Sequence, residues 1–342
     1  MVSELKVYKE PELKKAVDLC LASGRLNHDA VGWSRRPLHN CNLTGSPLRK
    51  KRWNYWCITT DHFLFSVTLS NIDYMGLAFI YFLDFKSSFF HEKTVIRFFG
   101  KGFDLGNLVA DNAVFEDPQL AISMLTDGPG TTIDVDCPDF QGDQLSADLI
   151  IKTPVDHETL NVVIPWSENR FQFTSKQHCL PVEGTVKIGK KSYSTTEGYA
   201  CLDFGRGIWP FSSFWNWAGG SGKSSSYTIG LNLGAGWTDG TGMNENGIVI
   251  DGVLSKISED LIFDYSSSAF MQPWSIRTPA SKMVNLTFTP FFERVAKTNA
   301  LILRSEVHQM IGRFSGTVQD HNGDSYPVED LIGWAEEHYA RW

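Results

Sequence analysis

Residues 53–83 read WNYWCITTDHFLFSVTLSNIDYMGLAFIYFL, and this stretch decides the fold class. Three runs lie within it, Trp53 to Thr60, Phe63 to Leu69 and Asp73 to Leu83, each dense in aromatic and β-branched residues. Such residues suit a pleated surface and are poor at filling a helix. The connections between the runs are too short for a helical crossover, so the three read as successive antiparallel strands.

Working outward, the same period of two returns at Ala147 to Ile151, Val182 to Ile188, Tyr227 to Leu233, Met283 to Thr289 and His308 to Val318. Turn signals stand between the runs at Gly189-Lys190, Asn246-Gly247, Asp251-Gly252 and Asn322-Gly323. Short strands without interleaved helices predict an all-β sandwich or barrel architecture and exclude a parallel α/β sheet. Helical periodicity is confined to the two ends. Leu13, Ala16, Val17, Cys20 and Leu21 share one face of a helix stopped by Gly24, and Leu331, Trp334, Ala335, His338 and Trp342 make a similar stripe. The strand-rich region is too long for one ordinary barrel. Poorly periodic segments near Thr153 to His157 and Gln177 to Glu183 suggest seams, which gives an N-terminal helix and first barrel over 1–185 and a second barrel with a C-terminal helix over 186–342.

Composition narrows the chemistry. The 342 residues carry 31 Lys and Arg against 39 Asp and Glu, a formal charge of −8, which disfavours general polyanion binding and so nucleic acid as a partner. Aromatic residues are plentiful, with 11 Trp and 23 Phe beside 29 Gly, as expected for strands, tight turns and a roomy apolar interior. Six scattered cysteines show neither zinc-ribbon spacing nor a disulfide framework and read as buried thiols in a reducing compartment. The start, Met1 to Lys6, lacks the apolar core of a signal peptide. No run approaches ~18 apolar residues, so no membrane span is expected and the cytoplasm is the expected location.

Several motifs are incomplete. Ala218 to Ser224 resembles a phosphate loop, but Trp217 stands where the pattern needs its first glycine. Gly184 to Lys191 ends in lysine where a hydroxyl should bind magnesium, and its alternation makes it a hairpin. Asp320 to Asp324 opens like a calcium loop, yet Ser325 and Leu331 occupy the positions of the required glycine and glutamate. Nine dispersed histidines supply no metal-ligand spacing, so neither a metal site nor a cofactor is expected. Arg49 to Arg52 before Trp53 reads as a solvated turn ahead of a strand.

The densest grouping of acid, base and aromatic residues runs from Glu197 to Glu245. It holds Asp203, Arg206, Trp209, Trp215, Asn216 and Trp217, then Asn232, Asp239 and Glu245. A cavity walled by tryptophans with a few polar anchors suits a lipophilic ligand. A carboxylic acid in such a place is held neutral and can donate a proton, and developing positive charge would meet the faces of aromatic rings. That chemistry is protonation of a carbon–carbon double bond, leading to isomerisation, hydration or cyclisation. Asp203 is the expected donor or relay, Glu245 or Asp239 the second acid–base group, and Arg206 a partner of Asp203 or of an anionic substrate group. Trp209, Trp215, Asn216, Trp217 and Asn232 would line the cavity, and Tyr55, Tyr74 and Tyr81 would reach it from the first barrel.

The chain resembles the domain-of-unknown-function family 2804. The matching segments are Gly24 to Asn27, Gly32 to His39, Lys51 to Trp56, Asp203 to Pro210, Phe214 to Trp217, and Gly333 to His338 with Ala340 to Trp342. More distantly it is similar to the two-domain lipocalin-like group of carotenoid 1,2-hydratase and tocopherol cyclase. Gly198-Tyr199 and Asp203-Phe204-Gly205 stand where that group carries a glycine–aromatic–acid–tryptophan–glycine segment, with Phe204 replacing the tryptophan. The resemblance implies two lipocalin-like barrels packed side by side.

The leading expectation is therefore an acid–base enzyme of isomerase or hydro-lyase type acting on a lipophilic or polycyclic small molecule. A lipid or pigment carrier is the alternative, and would keep Asp203 and Arg206 locked together outside an apolar cavity. A carbohydrate-active or carbohydrate-binding β-protein is a third reading, and would show an open groove. A homo-oligomer is compatible with the aromatic surface.

Overall fold

In the central strands of the first sheet, nearly every residue is buried. Tyr55, Trp56, Cys57 and Ile58 all are, and so are Ile80, Tyr81, Phe82 and Leu83. Strand side chains alternate between faces, so such a run requires cover on both. Trp56, Ile58, Ile80 and Phe82 pack into a core enclosed by the first sheet itself. Their neighbours Tyr55, Cys57, Tyr81 and Leu83 pack instead with Trp217, Ile311 and Trp334 of a second sheet. The fold is that of a computed structural model, described over residues 7–300 and 303–341; the sequence-read start Met1 to Lys6 and Trp342 lie outside the described residues.

The first sheet is an antiparallel series in the spatial order 90–98, 75–84, 63–71, 50–59, 199–208, 170–188, 143–152, 130–140, 121–127, 113–115 and 103–105. It curls until the two ends meet at Gly76, where an added Cβ would lie 2.5 Å from the ring of Phe103. The Arg170–Ile188 strand serves both halves of this sheet. Its N-terminal part pairs with 160–167 and 199–208, and its C-terminal part with 143–152 and 191–194. A bulge between Gln177 and Leu180, with Cys179 at φ 58°, turns the strand between these partners. The second sheet runs 253–256, 247–250, 227–235, 212–224, 325–341, 303–319, 284–300, 274–277 and 262–264, again antiparallel throughout. It encloses its own core around Trp274, Phe288 and Phe314. The chain leaves the first sheet at Ile208 and enters the second at Ser212, whereas residues 185 and 186 lie inside the 170–188 strand.

The expectation of an all-β molecule built of two curled antiparallel sheets packed together thus holds, but the two terminal helices do not form. Residues 11–21 lie extended along the first barrel. Leu13 and Val17 donate their backbone N–H groups to the carbonyls of Trp33 and Leu38, and Val17–Asp18 pairs parallel with His39–Asn40. At the other end, Ser325–Arg341 is a strand flanked by strands on both sides. Two smaller readings also change. Asn246-Gly247 is no exposed hairpin turn, because Asn246 is buried and Gly247 begins a strand. Ala218 to Ser224, the stretch that resembles a phosphate loop, lies within the Ser212–Ser224 strand. All six cysteines are buried and free. Among the described residues no helix is long and apolar enough to cross a membrane.

Candidate functional site

Cross-strand register builds the site from two facing sets of rows. On the first sheet, Lys176 is opposite Asp203, Asp203 opposite Tyr55, Tyr55 opposite Thr68 and Thr68 opposite Phe79. On the second, Trp217 is opposite Glu336, Glu336 opposite Gln309 and Gln309 opposite Arg294. The next row along holds Trp215, His338, Val307 and Ala296. Each row projects from a single sheet face. Where the two faces meet they enclose a cavity of about 300 Å³ that all of these residues line.

One part of it is walled by tryptophans. Trp209 stacks on Trp237 at a centroid distance of 5.1 Å, and Trp53 and Trp215 lean on Trp209 at 5.9 and 5.6 Å. Among these rings stands an ionic triad. Lys176 Nζ lies 3.0 Å from Asp203 Oδ2 and 3.0 Å from Glu245 Oε2, and 4.4 Å from the centre of the Trp217 ring. Thr174 Oγ1 donates to Asp203 Oδ1 at 3.2 Å, and Trp237 Nε1 donates to Glu245 Oε1 at 2.7 Å. Burial alone would push the Lys176 ammonium toward neutrality, but the two carboxylates overcome it and raise its pKa above the ordinary value. Burial raises Glu245, and the ammonium opposes that rise.

Glu336 has different company. Its Oε1 accepts from Trp215 Nε1 at 3.2 Å and its Oε2 from Gln309 Nε2 at 3.1 Å, both neutral donors. Burial pushes this carboxyl up to about 7, against the smaller lowering by the Trp215 bond and by the charges of Arg294 and Lys176. Gln309 is oriented in turn by Tyr81, whose hydroxyl donates to its Oε1 at 2.9 Å and lies 2.9 Å from the hydroxyl of Tyr55. His338 rests on the Trp215 ring at 4.0 Å and has Ser305 Oγ 2.8 Å from its Nε2. Burial and then the charge of Arg294 lower it to about 3, so it is a neutral imidazole.

Of the residues singled out from sequence, Asp203, Glu245, Tyr55, Trp209, Trp215 and Trp217 line this cavity together. Tyr81 and Asn232 stand directly behind its wall, and Asn232 Oδ1 accepts from Trp217 Nε1 at 2.9 Å. Four others lie elsewhere. Arg206 is three positions from Asp203 and so points through the opposite face of its strand. There it packs 3.7 Å over Phe204 and donates to the carbonyls of Gly106, Trp53 and Gly205 and to Asn54 Oδ1. Burial lowers its pKa to about 9. Asn216 faces the interior of the second barrel and donates to the Tyr265 hydroxyl. Asp239 caps an exposed turn, accepting from the backbone of Gly236. Tyr74 sits at the 71–75 turn, with the Lys51 ammonium 4.9 Å from its ring. Lys176, Glu336, Gln309 and Arg294 were not anticipated. Lys176 borders the segment read as a seam, and Glu336 fell within the stretch read as a helix. Strand alternation through Trp334, Glu336 and His338 was the available signal.

The family model described as "Domain of unknown function (DUF2804)" matches residues 10–342, and the chain belongs to that family. Among solved structures, that of CghA superposes with a TM-score of 0.54 at 9% identity, covering 90% of this chain and 93% of CghA. The structure of kievitone hydratase from Nectria haematococca gives 0.47 at 9% identity, with 98% of each chain covered. No curated protein matches the sequence. The likeness to CghA is one of fold.

Proposed function

We propose that the protein is an acid–base enzyme that protonates a carbon–carbon double bond of a lipophilic or polycyclic small molecule held between its two sheets. One observation carries this reading. Three carboxyls, Glu245 and Glu336 buried and Asp203 half-buried, border one cavity, and their surroundings divide them: Asp203 and Glu245 share the Lys176 ammonium, whereas Glu336 is bonded by neutral donors alone. Carboxyls whose environments are driven apart in this way make an acid and a base.

In the proposed step Glu336 gives its proton to one alkene carbon. The O–H bond breaks, the π electrons form the new C–H bond, and Glu336 is left as a carboxylate. The neighbouring carbon becomes electron-deficient between the Trp faces, which attract positive charge, and near the carboxylate of Asp203. Loss of a different C–H proton to Asp203 gives an isomer, and addition of water with loss of its proton to Asp203 gives a hydrate. A proton returned to Glu336 completes either cycle. Asp203 lies inside the cavity with Arg206 on the far side of the sheet, an arrangement opposite to the one a simple carrier would show.

The test is incubation with the lipophilic extract of the source cells in deuterium oxide, followed by mass analysis. The wild-type protein should place deuterium on carbon in at least one extract component, and Glu336→Gln and Asp203→Asn should not. Retention of a component by all three proteins without deuterium uptake would instead mark a carrier.

A further inference from the structure

Resting on that reading of the cavity, one lining residue specifies the ligand further. Arg294, on the Val284–Ala300 strand, is 8% exposed and lines the cavity at the end of the row Trp217–Glu336–Gln309–Arg294. It engages Glu92 of the first sheet through one edge only. Nε lies 2.8 Å and Nη2 2.7 Å from the same carboxylate oxygen, Oε2. Its third nitrogen, Nη1, takes no hydrogen-bond acceptor among the described residues, and the guanidinium lies 4.5 Å over the ring of Tyr81. A guanidinium has five N–H donors and cannot be neutralised by losing its proton. A buried one with donors to spare, lining the same cavity as the tryptophan rings, is poised for an oxyanion.

We infer that the substrate is an amphipathic acid whose anionic group binds Arg294 while its apolar body reaches the tryptophan end. Arg294 stands two strands from Glu336 along the row, about 10 Å at ordinary strand spacing. The double bond therefore lies several bonds from the anionic group. Glu92, on the edge strand Phe90–Phe98 with its side chain 26% exposed, and the exposed Thr94 on the same strand bring this part of the cavity to solvent. The hydrated head of the substrate would stay there while the body is desolvated.

Two fluorescent probes separate the anionic group from the apolar body: 1-anilinonaphthalene-8-sulfonate and its uncharged parent, N-phenyl-1-naphthylamine. Removing the competing carboxylate with Glu92→Gln should tighten the sulfonate about tenfold, the worth of a charge-assisted hydrogen bond, and leave the parent unchanged. Arg294→Gln should weaken the sulfonate alone by a similar factor. Because partly unfolded protein also binds this sulfonate, the Glu92→Gln result counts only where circular dichroism and thermal unfolding of the variant match wild type. Equal affinities for the sulfonate in wild type and Glu92→Gln, with the parent still bound, would overturn the anionic class and leave the cavity reading standing. Binding of neither probe to the wild-type protein would overturn both.

Discussion

Glu336 is the proposed proton donor because of what surrounds it. A carboxyl with two neutral hydrogen-bond donors and no adjoining ammonium keeps its proton to about pH 7, whereas in the unfolded chain it would lose it near 4.5. The folded state therefore holds an extra proton between those values. Linkage then requires stability to fall as pH rises through that window, by up to about 3 kcal/mol. Glu336→Gln carries no ionisable group, so its stability should stay flatter between pH 5 and 8 and exceed that of wild type at the upper end. Urea unfolding at the two pH values measures this, and an unchanged pH slope in the variant would refute the assignment. Asp203 and Glu245 were legible in the sequence as acids among tryptophans. Lys176, which pairs with both, was not, because a lysine inside a strand reads as an exposed charge until register places it opposite Asp203.

At the scale of the element, two-residue alternation does the positioning. Tyr55, Asp203 and Lys176 face the cavity while Trp56, Leu202 and Gln177 face the other way, so one wall serves two interiors. Close packing of that wall depends on Gly205, where an added Cβ would lie 2.1 Å from the Trp53 indole and 2.6 Å from Gln172 Nε2. Gly205→Ala should destabilise the protein by about 1–3 kcal/mol through overpacking and displace Trp53 from the cavity. Thermal unfolding together with probe affinity reads both effects, and an alanine variant matching wild type in each would show that Trp53 is not held by this contact. The strands around Trp53–Leu83 were legible because β-branched and aromatic residues dominate them. The final strand was not. Trp334-Ala-Glu-Glu-His338 is built from good helix formers, and its apolar positions satisfy a period of 3.6 as well as one of two. Pairing on both sides, with Ser212–Ser224 and Leu303–Gln319, overrides that local preference.

For the whole molecule, the site exists only where two sheets meet. Neither sheet alone supplies all of the lining: Asp203 and Lys176 come from the first, Glu336 and Trp217 from the second, and Glu245 from the loop before Gly247. Sequence alone could name two barrels and a junction rich in tryptophan, since composition and alternation are local properties. Which residues confront each other across the junction depends on register and curl, and no short-range signal records those. In the proposed scheme the cavity holds a lipophilic molecule which Glu336 protonates. Its most direct test is mass analysis of whatever small molecule leaves the source host with the wild-type and Glu336→Gln proteins. An unreacted ligand trapped in the glutamine variant, with its isomer or hydrate in wild type, is the expected result. The same ligand, chemically identical in both, would contradict it.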